Sequence, residues 1–488
     1  MGIVINQSIR NTVITYVGFI LGAANALFFY THFLGKTYYG LTAFLLSSAN
    51  ILMPLMAFGV HNTLVKYYST YKTPRERSDF LTFMLVLPLV LILPLTMAGF
   101  FAYDEIARLL AQRNPIILEY VWLIPVIGLF MGYFEIFYAW VKVHFLSVYG
   151  SFVKEILLRV FVMAGLFAVF FEVLSVIQFI YLLAVIYFVA AAAMAVFAFS
   201  VRLPSFRIRF PENSRSVLIY SLFIILSGSV AVLLLDIDKF MLGLYINIDN
   251  VAYYSVAIFI ATVVAVPSRA MHQIVYPITA QLMSDKKYDE LNVLYKKSSV
   301  SLQLVGGYVL LGILVNIKSI YNLLPPEYGG GIFVVFMIGI SRYFDLLLGN
   351  NNAIIFNSKY YKMVLFLGLL LAVLAVSLNM IFIPAYGIDG AAIATIIAIG
   401  LYSLAKLLFV VIKMKLYPFT QKTLVLLAIS AVGFLLFYFW DFRINPILDI
   451  VLKSALLTVY YVYMSYRFSV LEEANLLFDK ALSMIRRP

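Results

Sequence analysis

The chain has no cysteine among its 488 residues, which excludes disulfides, thiolate metal sites and cysteine nucleophiles. Histidine is nearly as scarce. His32, His61, His144 and His272 are not paired at metal-ligand spacing, so no metal site is expected. Charge is also thin: Asp, Glu, Lys and Arg make up 12% of the residues, against about 25% in soluble domains. No Gly-rich phosphate loop or nucleophile elbow is present, and no polar segment between apolar runs is long enough to house an active site. A non-enzymatic protein with no catalytic residues and no cofactor is therefore expected.

Hydrophobic residues account for 64% of the chain, and the mean hydropathy is +0.99. Apolar runs near 20 residues, about the thickness of a hydrocarbon core at 1.5 Å per residue, recur with only short polar gaps. The chain reads as an all-α integral membrane protein. The runs place spans near Asn11–Phe33, Tyr39–Val65, Phe80–Tyr103, Ile116–Val141, Phe152–Phe171, Val173–Phe199 and Val217–Leu244. They continue near Val251–Ile278, Val300–Ile320, Ile332–Phe356, Met363–Ile383, Ile388–Val411, Leu424–Trp440 and Ile447–Tyr466, about fourteen in all. The opening MGIVINQSIRNT lacks the basic region and cleavage site of a signal peptide, so the first span is expected to be retained. Residue 6 is Asn where a myristoylation pattern needs Ser or Thr.

A net charge of +12 invites comparison with nucleic-acid binders, but its distribution points to orientation in a membrane. Lys and Arg crowd alternate polar segments, as in Lys66, Lys72, Arg75 and Arg77, then Lys142 and Lys154, then Arg202, Arg207, Arg209 and Arg215, then Lys286, Lys287, Lys296 and Lys297. The segments between hold few, such as Lys36, Arg108, Arg113, Lys318, Arg443 and Lys453. This alternation follows the positive-inside rule for a chain with both termini cytoplasmic, and no nucleic-acid partner is expected.

A linker from Val201 to Asn213 follows the sixth span and divides the chain. The domains expected are residues 1–200 with six spans, 201–415 with six, 416–467 with two, and an amphipathic cytoplasmic tail at 468–488. Tyr38-Tyr39 with Pro54 and His61 downstream is echoed by Tyr253-Tyr254 with Pro267 and His272, in a span of the same direction. The echo implies a pseudo-two-fold axis along the membrane normal. Pro54, Pro88, Pro94, Pro125 and Pro267 interrupt apolar runs and are expected to kink helices.

The chemistry must come from ionisable residues inside spans: Glu135, Arg159, Asp236, Asp238, Lys239, Arg269, Arg342, Asp345 and Lys406. Each costs roughly 2.5–3.5 kcal/mol at the centre of a lipid-facing helix, so most must face protein or water. Three pairs can neutralise themselves on one helical face: Glu155 with Arg159, Asp236 with Lys239, and Arg342 with Asp345. Arg269 has no acid three or four residues away and is left seeking an anion, either Asp236 or Asp238 or a substrate phosphate. Lys406 reads as a lysine snorkelling to the interface. Asn350-Asn351-Asn352 reads mainly as an interfacial cap, with polar lining of a cavity as the lesser reading.

DKFMLGLYINIDNVAYYSVAIFIATVVAVP (Asp238–Pro267), IPAYGIDGAAIATIIA (Ile383–Ala398) and Phe33-Leu-Gly-Lys-Thr-Tyr-Tyr-Gly carry a resemblance that extends over nearly the whole length. The chain resembles the polysaccharide-export flippases of the multidrug/oligosaccharidyl-lipid/polysaccharide superfamily. The resemblance implies a MATE-like fold, two six-helix lobes around a central cavity with two extra helices at the C-terminus. It implies transfer of an undecaprenyl-diphosphate-linked oligosaccharide from the cytoplasmic to the periplasmic leaflet of a bacterial inner membrane, for a surface polysaccharide such as O-antigen. A polysaccharide polymerase and export machinery would be partners. By helix and depth, Arg269, Arg342 and Lys239 would meet the diphosphate, with Asp236, Asp238, Asp345, Glu135 and Arg159 as charge partners or coupling groups. Three alternatives stay open. An ion-coupled multidrug exporter would need a carboxylate in the first lobe, where Glu135 is the one mid-helix acid to serve. A peptidoglycan lipid-precursor flippase would differ in substrate. A membrane polysaccharide polymerase or ligase would need a larger external loop than the one around Tyr103–Pro115.

Overall fold

The computed structural model describes residues 2–205, 207, 210–360, 362–471 and 475. Among these residues the chain is helical with no strand, and ten helices are long and apolar enough to cross a membrane. We number the segments α1 (Arg10–Phe33), α2 (Gly35–Met56), α3 (Pro74–Phe101), α4 (Leu123–Lys142), α5 (147–170) and α6 (Val176–Val201). Then come α7 (Ser214–Tyr245), α8 (249–284), α9 (Tyr288–Tyr321), α10 (Ile332–Leu347), α11 (362–386), α12 (388–414), α13 (Gln421–Phe437) and α14 (Pro446–Arg467).

A helical segment stands at each expected place, and not all of them are simple apolar helices. α5 is interrupted by a π turn, and the middle of α7 lies outside the side chains described. α13 is only 17 residues long. α11 and α12 run together as one 53-residue helix bent where Gly387 takes φ 58°, three residues after Pro384. Only glycine enters that region without strain.

Local chemistry sets the helix starts. Thr73 and Glu76 form a reciprocal capping box ahead of α3, with Pro74 in the first turn, and Ser175 with Gln178 does the same for α6. Pro54, Pro88 and Pro94 do lie inside helices, as does Pro277. Pro125 and Pro267 instead sit in first turns, where a missing N–H costs nothing. α2 is broken just after Pro54, and α8 just before Pro267. α2 stops at Ala57–Gly59 before the short helix Val60–Tyr67, and α8 passes through a 3-10 turn at Val263–Ala265. Gly59 (φ 63°) cannot carry a side chain, since a Cβ there would lie 2.5 Å from the Ser221 carbonyl oxygen.

Contact density divides the chain into two compact units, Met1–Ser255 with Ala375–Ala391, and Val256–Leu374 with Ala392–Pro488. The core of the first gathers Phe80, Phe83, Phe134, Trp140, Met194 and Val217 from α3, α4, α6 and α7. α7 packs on α2, where Gly243 meets the Phe44 ring so closely that a Cβ would sit 2.3 Å from it. At the α4–α5 turn, His144 donates Nδ1–H to the Trp140 carbonyl (2.8 Å) and accepts from Tyr68 Oη at Nε2 (2.8 Å). Burial pushes its pKa below the ordinary value and keeps it neutral. In the second unit one cluster joins Val300, Leu311, Leu426, Leu457 and Tyr461 of α9, α13 and α14. A polar seam reinforces it: Asn316 donates to Ser454, and Tyr308 bonds Thr458 (2.7 Å). Of the expected tail at 468–488, residues 472–474 and 476–488 lie outside the described residues.

Candidate functional site

Polar groups collect in two places, one in each unit. In the first unit, α1, α2, α4, α5 and α6 enclose a cavity of about 400 Å³. Glu135 comes from α4, Lys154, Glu155 and Arg159 from α5, Asn25 from α1 and Asn50 from α2. Two π turns shape it, Ala24–Phe29 in α1 and Val153–Leu157 in α5. A π turn adds a residue to the helical repeat and widens it, and the neighbouring Lys154 and Glu155 both line the space. Lys154 Nζ bonds Glu135 Oε1, and Arg159 bonds Glu155 at 3.0 Å. The lining thus carries two carboxylates and two cations, all in pairs.

α1 reaches α5 by having no side chain where they meet. Gly18 and Gly22 are four residues apart, so they share one face of the helix. A Cβ on Gly18 would fall 2.5 Å from the Glu155 carbonyl oxygen, and one on Gly22 would fall 3.2 Å from the Arg159 guanidinium. This is the small-xxx-small mode of helix association in membranes. Asn25, 4% exposed, then donates Nδ2 to the Arg159 carbonyl at 2.9 Å.

α7 approaches the same cavity. Asp236 and Lys239 form the expected pair (3.0 Å), and Tyr187 of the cavity wall lies within electrostatic reach of both Asp236 and Arg159. Asp238 faces another way. Buried at 2% exposure, it accepts from Tyr254 Oη (2.5 Å) and from Asn379 Nδ2 (2.7 Å).

In the second unit, α8, α10 and α12 bring charges together around Asp345. The expected Arg342–Asp345 pair does not form as drawn. Asp345 instead takes Lys406 at 3.1 Å, while Arg342 and His272 act on it from farther away. Lys406 is not a snorkelling residue. At 2% exposure it is packed against the Tyr402 ring (4.3 Å) and also donates to Asn352 Oδ1. The reason is register: Asp345 lies half-exposed beside α12, closer to the Lys406 ammonium than to the guanidinium on its own helix. Arg342 keeps a buried Nε with no hydrogen-bond partner among the described residues. Arg269 is exposed one turn before His272, and no ion pair or hydrogen bond engages it among the described residues. The asparagine run is no interfacial cap: Asn350 bonds Thr279 (2.7 Å) and Ser298, and Asn351 bonds Tyr295 (2.7 Å). A hollow of about 10 Å³ between His272, Asp345, Asn351 and Lys406 has room for about one water.

Two lysines taken from the sequence as loop charges belong inside helices. Lys154 holds Glu135. Lys453 is paired with Asp449 at 2.8 Å on α14, both nearly fully buried, with Ser319 of α9 donating to the same carboxylate. Among the described residues no group of three or more His, Cys, Asp or Glu could hold a metal ion.

The family model described as polysaccharide biosynthesis protein matches residues 6–283. Among solved structures, the lipid II flippase MurJ in an inward closed conformation is similar with a TM-score of 0.72 at 14% identity, over 95% of this chain and 100% of that one. An inward-facing multidrug resistance MATE family transporter of the MOP superfamily gives 0.60 at 16% identity, over 82% and 97% of the two chains. A MOP superfamily transporter from Pyrococcus furiosus gives 0.57 at 15%, over 83% and 94%. No curated protein matches the sequence. At these identities the likeness to solved structures is one of fold.

Proposed function

Because the chain belongs to the polysaccharide biosynthesis protein family, with the multi-pass all-α fold of MOP transporters, we propose that it is a flippase for a lipid-linked oligosaccharide. Its substrate is an undecaprenyl-diphosphate-linked glycan, moved from the cytoplasmic to the periplasmic leaflet of an inner membrane by alternating access of the lobes at 1–200 and 201–415, with both termini cytoplasmic. A polysaccharide polymerase and export machinery take over the product.

The observation that supports this reading is the surplus of cations around Asp345. Arg342 has an unpartnered Nε, Lys406 shares the one carboxylate, and Arg269 stands unengaged one turn from His272. A diphosphate brings several acceptor oxygens, and a guanidinium fork meets such groups bidentately. Arg269 and Arg342 take that role. Lys239 joins them only by releasing Asp236, which holds it at 3.0 Å.

Complementation of a strain lacking its oligosaccharide flippase tests the reading. Arg269→Ala and Arg342→Ala are expected to abolish surface polysaccharide while membrane abundance stays near normal. Full complementation by both variants would remove these residues from the substrate path. Growth rescue of a strain lacking its lipid II flippase, without rescue of polysaccharide export, would instead assign a peptidoglycan precursor.

A further inference from the structure

The four charged side chains that line the cavity inside the first unit cancel, two carboxylates against two cations, and that balance bears on its ligand. Lys154 and Arg159 are each already held by a carboxylate, Glu135 and Glu155. An anion entering there competes with a carboxylate for each cation and leaves that carboxylate unpaired in a partly buried site. A neutral polyol asks for no such separation, because its hydroxyls donate to carboxylates and accept from ammonium or guanidinium groups as they stand.

The cavity also offers hydrogen-bonding groups that the protein itself leaves unused. Asn25 spends its Nδ2 on the Arg159 carbonyl, while its buried Oδ1 has no partner among the described residues. Asn50, Tyr30 and Tyr187 line the same space, and no side-chain hydrogen bond engages any of them among the described residues. Tyr30 is held in place by stacking on Tyr39, with ring centroids 4.8 Å apart and planes 7° apart. Amides, tyrosine hydroxyls and paired charges around about 400 Å³ make a site of small-molecule size, within the usual range of roughly 300–1,000 Å³.

We infer that this cavity reads the sugar of the substrate: it is a saccharide subsite for a neutral, hydroxyl-rich ring, separate from the cations that take the diphosphate. The inference rests on the flippase reading and extends it by giving glycan choice to the first unit. Buried polar groups built to bond a hydroxyl discriminate strongly against a ligand that lacks it, since they are then left unpaired.

The test uses the full-length protein in lipid nanodiscs and two kinds of probe, farnesyl diphosphate without sugar, and a panel of farnesyl diphosphates bearing one hexose, deoxyhexose or N-acetylhexosamine. Binding is followed by thermophoresis for the wild type, Tyr187→Phe and Asn50→Leu, with thermal unfolding to establish that each variant is folded. Tyr187→Phe removes one oxygen and keeps the ring, so it leaves the packing intact. The wild type is expected to bind at least one glycosylated probe more tightly than the sugar-free one. Each variant should weaken that preference about two- to tenfold, the worth of one hydrogen bond, while the sugar-free probe binds unchanged. Equal weakening of both probes would show that the cavity takes the diphosphate, and an unaltered preference would place the sugar elsewhere. Either result overturns the inference, as does a wild type with no preference. A wild type that binds no probe overturns the flippase reading, and this inference with it.

Discussion

In the first unit the four charges lining the cavity come as two pairs, Glu135 with Lys154 and Glu155 with Arg159, and Lys142 and His61 act on Glu135 from farther away, whereas around Asp345 in the second no other carboxylate is paired with Lys406, Arg342 or His272 among the described residues. Both arrangements sit in segments where an unpaired charge is expensive, and they meet that expense differently. The first cancels charge within the protein and has about 400 Å³ of space left over. The second is packed down to a hollow of about 10 Å³ and keeps cationic capacity for an anion from outside. The difference suits a ligand with two chemistries, a neutral glycan joined to a diphosphate.

Breaking a pair in the first unit gives the largest expected effect. Glu135→Ala strands Lys154, and because Glu135 is largely buried while the lysine is 47% exposed, the cost falls between that of an exposed pair and that of a buried one, about 2–3 kcal/mol. Thermal unfolding of the purified protein should show a marked loss, and the exchange Glu135→Lys with Lys154→Glu should restore much of it. No recovery in the exchanged protein would mean that the pair is held by more than its charges.

A second perturbation acts on the same cavity through packing. Gly18→Val drives a side chain into the Glu155 backbone, where even a Cβ would lie 2.5 Å from the carbonyl oxygen, and overpacking of this kind costs about 1–3 kcal/mol. Lower membrane abundance and a lower unfolding temperature are expected, while Gly312→Ala, with open space around its Cα, should change neither.

The smallest effect sharpens the contrast in sign. Asp345→Asn removes the carboxylate on which Lys406, Arg342 and His272 act, so pyrophosphate should bind about two- to fivefold more tightly, in line with the roughly 0.2–1 kcal/mol of a solvent-exposed charge. The matching change Glu135→Gln in the first unit should leave pyrophosphate binding alone. Calorimetric titration of both variants distinguishes a cationic site from a neutral one.

Much of this was legible in the sequence because it depends on neighbours along one helix. The fourteen segments follow from apolar length, and Glu155–Arg159 and Asp236–Lys239 follow from spacings of four and three. What could not be read depends on which helix lies beside which. Lys154 looked like an orientation charge until α4 brought Glu135 to it, and Lys406 looked like a snorkelling side chain until Asp345 of α10 met it. The same crossing of α10 and α12 left Arg342 without the partner its spacing suggested. The π turns have no sequence signature, so the cavity they open was hidden. Gly18-x-x-x-Gly22 was the one written signal of it, a small-xxx-small face on α1 that marks close approach to another helix. Lys453 was hidden by its position near a helix start, where loop and membrane charges look alike.

Titration of farnesyl diphosphate into the purified wild type, Arg342→Ala and Arg269→Ala proteins tests the central claim most directly. A charge-assisted bond to an ionised group is worth about 1.5–3 kcal/mol, so each variant is expected to bind at least tenfold more weakly, with Arg159→Lys in the first unit binding as the wild type does. Affinity unchanged in both arginine variants would contradict the account, because the diphosphate would then be held by something other than the cations around Asp345.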